Sequence, residues 1–192
     1  LRAFYDKWYA PSNAILVVSG DITAARLKPM AERIYGKIPA SPAIPRTRPS
    51  EPAQKASRQV MLKDARVRQA SWSRSYLAPS RVTSIAGGAG KEHSYALEVL
   101  STVIGGGATS QIYRSLVVEQ KLAVSAGAGY GSSPQGPSRF SFYASPTPGV
   151  SMETLEKAME REIETLLKDG VAAEKVVRVK KSMFAQAVYA RD

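Results

Sequence analysis

The chain has 192 residues, 44% of them hydrophobic and 22% charged, which is enough apolar material to bury the core of one domain with some chain to spare. It holds 27 basic and 16 acidic residues for a net charge of +11, has no cysteine, and contains no apolar run approaching the roughly 18 residues that a membrane-spanning helix needs. Disulfides, thiolate chemistry and a membrane span are therefore excluded, while the positive charge admits nucleic acid, an anionic surface or an acidic substrate.

In chain order, residues 1–9 read as a helix and residues 14–20 as a strand. Residues 23–35 read as an amphipathic helix with Leu27, Met30, Ala31, Ile34 and Tyr35 inward and Gly36 as its stop. Prolines at positions 39, 42, 45, 49 and 52 then mark a linker, which as polyproline II would cross about 40 Å. Residues 58–63 and 69–77 read as strands, the second alternating Ala70, Trp72 and Tyr76 against polar positions. The loop Ala86–Gly90 leads into a helix beginning near Lys91, whose stripe is Ala96, Val99, Leu100, Val103 and Ile104. It carries no phosphate-binding signature.

Gly105, Gly106 and Gly107 follow that stripe. Three glycines in a row lose much backbone entropy on folding, so they mark either a helix end with a loop or a close approach of backbone to another chain or ligand. Ser110 is placed to cap a second helix through Ile112, Tyr113 and Leu116, and residues 122–130 and 139–144 read as a pair of strands joined by the loop 131–137. Ser151 caps a long helix with Leu155, Ala158, Met159, Ile163, Leu166 and Leu167 on its apolar stripe. Glu156 and Glu160 are expected outside, and Gly170 at its end. The basic residues are scattered except for Lys175, Arg178, Lys180 and Lys181, whose interleaved Val176, Val177 and Val179 predict a helix with one buried face and a solvated one. Nucleic acid is therefore not the expected partner. Helices that follow strands covered on one side predict an α+β fold, with helices packed on one face of a mostly antiparallel sheet.

The order helix, glycine loop, helix, strand over Ala96–Tyr130 resembles the second domain of the pitrilysin and mitochondrial processing peptidase family, the M16 or insulinase family of zinc peptidases with an inverted H-x-x-E-H motif. So does Phe4–Ile22, with Pro11-Ser12-Asn13 between a helix and an apolar stretch, and so do Trp72, Tyr76, Pro79 and the terminal helices. The resemblance implies that residues 1–38 are the tail of a first, zinc-bearing domain, 39–57 the linker, and 58–192 a second "inactive" domain truncated at its C-terminus. The chain would then be a fragment of a longer protein.

No H-x-x-E-H exists here. The single histidine, His93, follows Lys91 and Glu92 at a predicted helix start and is expected to be a solvated first-turn residue. One imidazole cannot supply the three protein ligands of a catalytic zinc, so no catalytic residue, metal ligand or cofactor is expected in this chain, with zinc expected in the missing first domain of the parent. Relatives whose non-catalytic half holds the substrate carbonyl use an arginine and a tyrosine, and the matching positions here are Val117 and Val124, which donate no hydrogen bond. The resemblance implies a non-catalytic domain that encloses unfolded peptide, inactive alone, with Gly105, Gly106, Gly107 and Ser110 as a loop facing the peptide chamber. It also implies a homologous partner subunit or a dimer, and, from bacterial relatives, the periplasm. The alternative is a catalytically degenerate scaffold, as in the core subunits of the respiratory bc1 complex.

Overall fold

The structure is a computed structural model that describes residues 1–40, 54–85 and 88–191. It divides into two compact units, Leu1–Gln54 and Lys55–Asp192. Most of the expected 39–57 linker, and residues 86 and 87 of the expected glycine loop, lie outside the described residues.

In the first unit, α1 (Arg2–Trp8) ends where Asn13 donates its side-chain amide to the Trp8 carbonyl at 2.8 Å, which satisfies one of the orphan acceptors at a helix C-terminus. Tyr5 and Tyr9 stack one turn apart with centroids at 4.5 Å. The turn at Pro11–Asn13 is a 3₁₀ turn, and α2 spans Ala24–Tyr35. Residues 14–20 form no strand: Ile15 and Val17 are 91% and 83% exposed, and no strand among the described residues of this unit lies beside them to form a ladder. On α2 only Leu27 and Ala31 are half-buried, while Met30, Ile34 and Tyr35 are exposed, because no described element of the unit covers that stripe.

The second unit is built on three antiparallel strands in the order β1-β3-β2: β1 (Trp72–Ala78), β2 (Ala123–Tyr130) and β3 (Ser138–Pro146). The β2–β3 hairpin forms as expected, with Ala126 opposite Ala144 and Ala128 opposite Phe142. A bulge between Ala123 and Ser125 leaves Val124 unpaired. β1 pairs with β3 through Trp72 opposite Ala144 and Tyr76 opposite Phe140. Residues 58–63 do not extend the sheet, and Val60 is 90% exposed, because an apolar stretch with no described neighbouring strand has no ladder to complete.

Period-two alternation then decides which face is covered. Phe140, Phe142 and Ala144 of β3 and Ala126 and Ala128 of β2 point into one core. Helix α3 (His93–Gly105) supplies Val103 and Ile104 to it. The short α4 (Gln111–Tyr113) continues as a π-helix over Arg114–Glu119 and supplies Ile112 and Leu116. Helix α5 (Met152–Asp169) supplies Leu155, Ala158 and Met159, all fully buried. The Ser151 hydroxyl accepts the Thr154 amide at 3.1 Å as the expected N-cap, and Gly170, at φ 71°, ends the helix. Helix α6 (Ala173–Tyr189) leans on the core through Val176 and Val179, whereas Val177 is exposed, so two of the three interleaved valines face inward.

Glu156 and Glu160 do not simply face solvent. Arg74 projects from the covered face of β1 under α5 and donates to Glu160 at 2.8 Å and Glu156 at 3.1 Å, with its guanidinium over the Trp72 ring at 5.3 Å. One cation thus ties the first strand to the long helix. Arg74→Met should cost about 1 kcal/mol, since it leaves two carboxylates one helical turn apart without a partner, while water around these partly exposed groups screens the loss. Urea unfolding of the two proteins checks this, and an unchanged midpoint would contradict it.

Candidate functional site on the helix-free face of the sheet

The opposite face of the sheet carries the alternate residues. Ser73 and Ser75 of β1 are exposed, and Ser141 and Ser145 of β3 and Ser125 and Gly129 of β2 are half-buried. Ser75 and Ser141 share a hydroxyl hydrogen bond of 2.8 Å across the strands. Small side chains leave the backbone of this face approachable. Three larger groups stand on it: Tyr143, 46% exposed, and Leu77 and Arg139, which face each other across β1 and β3 and are also exposed.

The glycine run borders this face. A methyl group on Gly105 would overlap the backbone nitrogen of Ala128, so the C-terminal end of α3 lies directly on the backbone of β2. A methyl on Gly127 would meet the Tyr143 hydroxyl and the Gly105 carbonyl together, which places Tyr143 over Gly127 next to the start of the glycine run. Gly105 is buried, while Gly106 and Gly107 are exposed; Gly107, at φ 98°, has open space around it. Of the close approaches open to such a run, the structure shows one to another element, at Gly105, while a methyl on Gly106 would meet the Thr102 carbonyl in the preceding turn. Ser110 holds the N-cap position, with its carbonyl accepting the Arg114 amide at 3.0 Å and its own amide donating to Gly107 at 3.0 Å. Its hydroxyl does not cap, being buried without a hydrogen-bond partner among the described residues.

An open groove of about 640 Å³ lies where β2 begins and β3 ends, lined by Arg68, Val124, Pro146, Pro148 and Val150 among others. Val124 is 45% exposed there, and Val117 is half-buried against the core; as hydrocarbons, neither can donate to a carbonyl. Before the groove, Asp64 accepts both the Arg66 guanidinium, at 2.8 Å and 2.9 Å, and the Arg66 amide, at 2.9 Å. The guanidinium first and the amide second hold its carboxyl down at about 2. A carboxyl lowered on folding favours this turn at pH above its unfolded value, and the contribution disappears as pH falls through the folded one. NMR titration should find the Asp64 midpoint near pH 2, and Arg66→Ala should return it toward 3.8. An unmoved midpoint in that variant would remove Arg66 as the cause.

Among the described residues no three imidazole, thiolate or carboxylate groups converge as a metal site would require. His93 stands exposed in the first turn of α3, with Glu92 at 3.7 Å as its ion-pair neighbour. These residues do not fit a catalytic zinc.

An antiparallel sheet covered on one side by helices, with its other face open, defines an α+β domain. The chain belongs to the peptidase M16 inactive-domain family, whose model matches residues 1–183. It is 25% identical over 182 residues to the zinc protease PqqE of Helicobacter pylori, covering 94% of this chain and 39% of that protein. Its fold is similar to the crystal structure of a protease from Helicobacter pylori, with a TM-score of 0.79 and 24% identity over 98% of this chain and 44% of that one. It is also similar to a peptidase M16 inactive domain from Pseudomonas fluorescens, with a TM-score of 0.61 and 18% identity over 91% of this chain and 40% of that one. The chain thus spans about two fifths of the length of the curated relative it matches.

The open serine face and the Arg74 bridge were not singled out from the sequence. The first has a signal in the alternate serines Ser71, Ser73 and Ser75. The second joins residues 82 and 86 positions apart and has none.

Proposed function

We propose that this chain is the non-catalytic second domain of a longer zinc-dependent metallopeptidase, and that its open sheet face forms part of the wall of a peptide-enclosing chamber. The observation that carries this reading is the face itself. One side of a three-stranded sheet is left free of helices and carries serine and glycine around the larger Leu77, Arg139 and Tyr143, so an extended peptide can lie near its backbone between them. Val117 and Val124 cannot stabilise an oxyanion, which fits a wall rather than a catalytic surface. Residues 1–38 are then the tail of the zinc-bearing domain and 39–57 the linker, a reading supported by the division of the chain at Gln54 and Lys55. The zinc resides in the first domain of the parent, and a homologous partner subunit or second copy closes the chamber.

Hydrogen exchange of the full-length parent with an uncleaved extended peptide tests this. Protection confined to β1, β2, β3 and the Gly105–Gly107 loop supports the wall; protection that spares them refutes it. The scaffold reading is favoured by a separate observation, the exposed apolar residues Ile15, Val17, Met30 and Ile34 of the first unit. Metal analysis of the parent decides between the two, since a scaffold holds no stoichiometric zinc and cleaves nothing with or without a partner subunit.

A further inference from the structure

We propose that the open face selects acidic peptide segments, holding an extended stretch of about seven residues between Arg139 at one end of the sheet and Arg68 at the other. This rests on the chamber-wall reading and names the substrate class of that same face.

The charge distribution carries the inference. β1, β2 and β3, the 131–137 hairpin and the groove-lining residues contain no aspartate or glutamate at all. The carboxylates of this unit lie elsewhere, and several are already engaged: Glu156 and Glu160 by Arg74, Glu98 by Arg81, Glu153 by Lys157, and Asp64 by Arg66. Arg66 and Arg74 are therefore committed. Arg68 and Arg139 are exposed, and neither has a hydrogen-bond or ion-pair partner among the described residues. An uncompensated cation on the face at Arg139 and another in the groove that ends the sheet at Arg68, with no acid on the strands or groove lining between them, repels basic peptides and attracts acidic ones.

Geometry sets the length. Arg139 is opposite Leu77 near one end of β3, and the groove holding Arg68 begins at Pro146 at the other. At about 3.3 Å per residue the strand between them covers about 23 Å, the span of an extended heptapeptide. Between the two cations the face carries Ser73, Ser75, Ser141 and Ser145 together with the exposed Tyr143 ring, on which a peptide can rest, and guanidinium forks suit the planar carboxylates at the peptide's ends.

The test measures fluorescence anisotropy of the 192-residue chain with labelled extended peptides of one length. These carry two aspartates six positions apart, at the ends of a heptapeptide, or asparagine or lysine at the same places. Each exposed arginine–carboxylate pair contributes about two- to fivefold, so at low salt the aspartate peptide should bind about tenfold tighter than the asparagine one and the lysine peptide weakest. The advantage should shrink in high salt. Arg68→Gln with Arg139→Gln should bring the aspartate peptide to the level of the asparagine one, Arg68→Glu with Arg139→Glu should reverse the order, and Lys180→Gln with Lys181→Gln should leave it intact. If all peptides bind equally, the acidic selection is overturned and the wall stands; if none binds, both fall. An equal loss in the Lys180 and Lys181 variant, or a single-stranded oligonucleotide that binds tighter through the same two arginines, also overturns the proposal.

Discussion

Gly105→Ala is expected to cost about 3 kcal/mol, the upper range for forcing a group into packed structure, since its methyl would come closer to backbone than that of any other described glycine. The added Cβ would overlap the backbone nitrogen, Cα and carbonyl oxygen of Ala128. Backbone in the middle of a paired strand cannot rotate away as a flexible side chain can, so α3 must lift from β2. That movement would unseat Val103 and Ile104 from the core. Gly107→Ala is the control: its methyl meets no atom within 4 Å, and only its φ of 98° resists, at about 1 kcal/mol. Urea unfolding of both variants orders them. Equal midpoints would mean that the run serves the loop conformation alone and that the contact with β2 is not tight.

Leu155→Ala should cost about 3 kcal/mol, within the range for removing a fully enclosed leucine and leaving a cavity. Leu155 is 0% exposed, as are its neighbours Ala158 and Met159 one turn on, and these side chains fasten α5 to the sheet. Leu167→Ala, on the same helix but 80% exposed, should fall within about 0.5 kcal/mol of the parent protein. A large loss at Leu167 would show that something covers this end of α5 in solution.

Both predictions concern elements that could be read from the residues. Val99, Leu100, Val103 and Ile104 of the α3 stripe, the β2–β3 hairpin, the Ser151 cap and the α5 stripe each carry their own signal, whether 3.6-residue spacing, alternation or a capping hydroxyl, while Ala96 of the expected α3 stripe is exposed and Leu97 packs in its place. Leu167 shows the limit of the signal, since it shares the spacing of the stripe and stays exposed at the end of the helix. Residues 14–20 and 58–63 have strand composition and no ladder, because a strand depends on a partner that local sequence does not name. The same holds for the Arg74 bridge and for Tyr143 over Gly127, both made by residues remote in the chain or on another strand. Gly105, Gly106 and Gly107 stood out as a run, yet their different situations appear only in three dimensions: the first is pressed on a strand, and the other two are open to solvent.

On this reading the domain holds peptide and does not cut it. The most direct measurement incubates the 192-residue chain with zinc and a quenched fluorescent peptide, recording bound metal, anisotropy and cleavage together. The account predicts peptide binding without stoichiometric zinc and without cleavage. Cleavage that a chelator abolishes would contradict it, because it would require a metal site that the residues described here do not form.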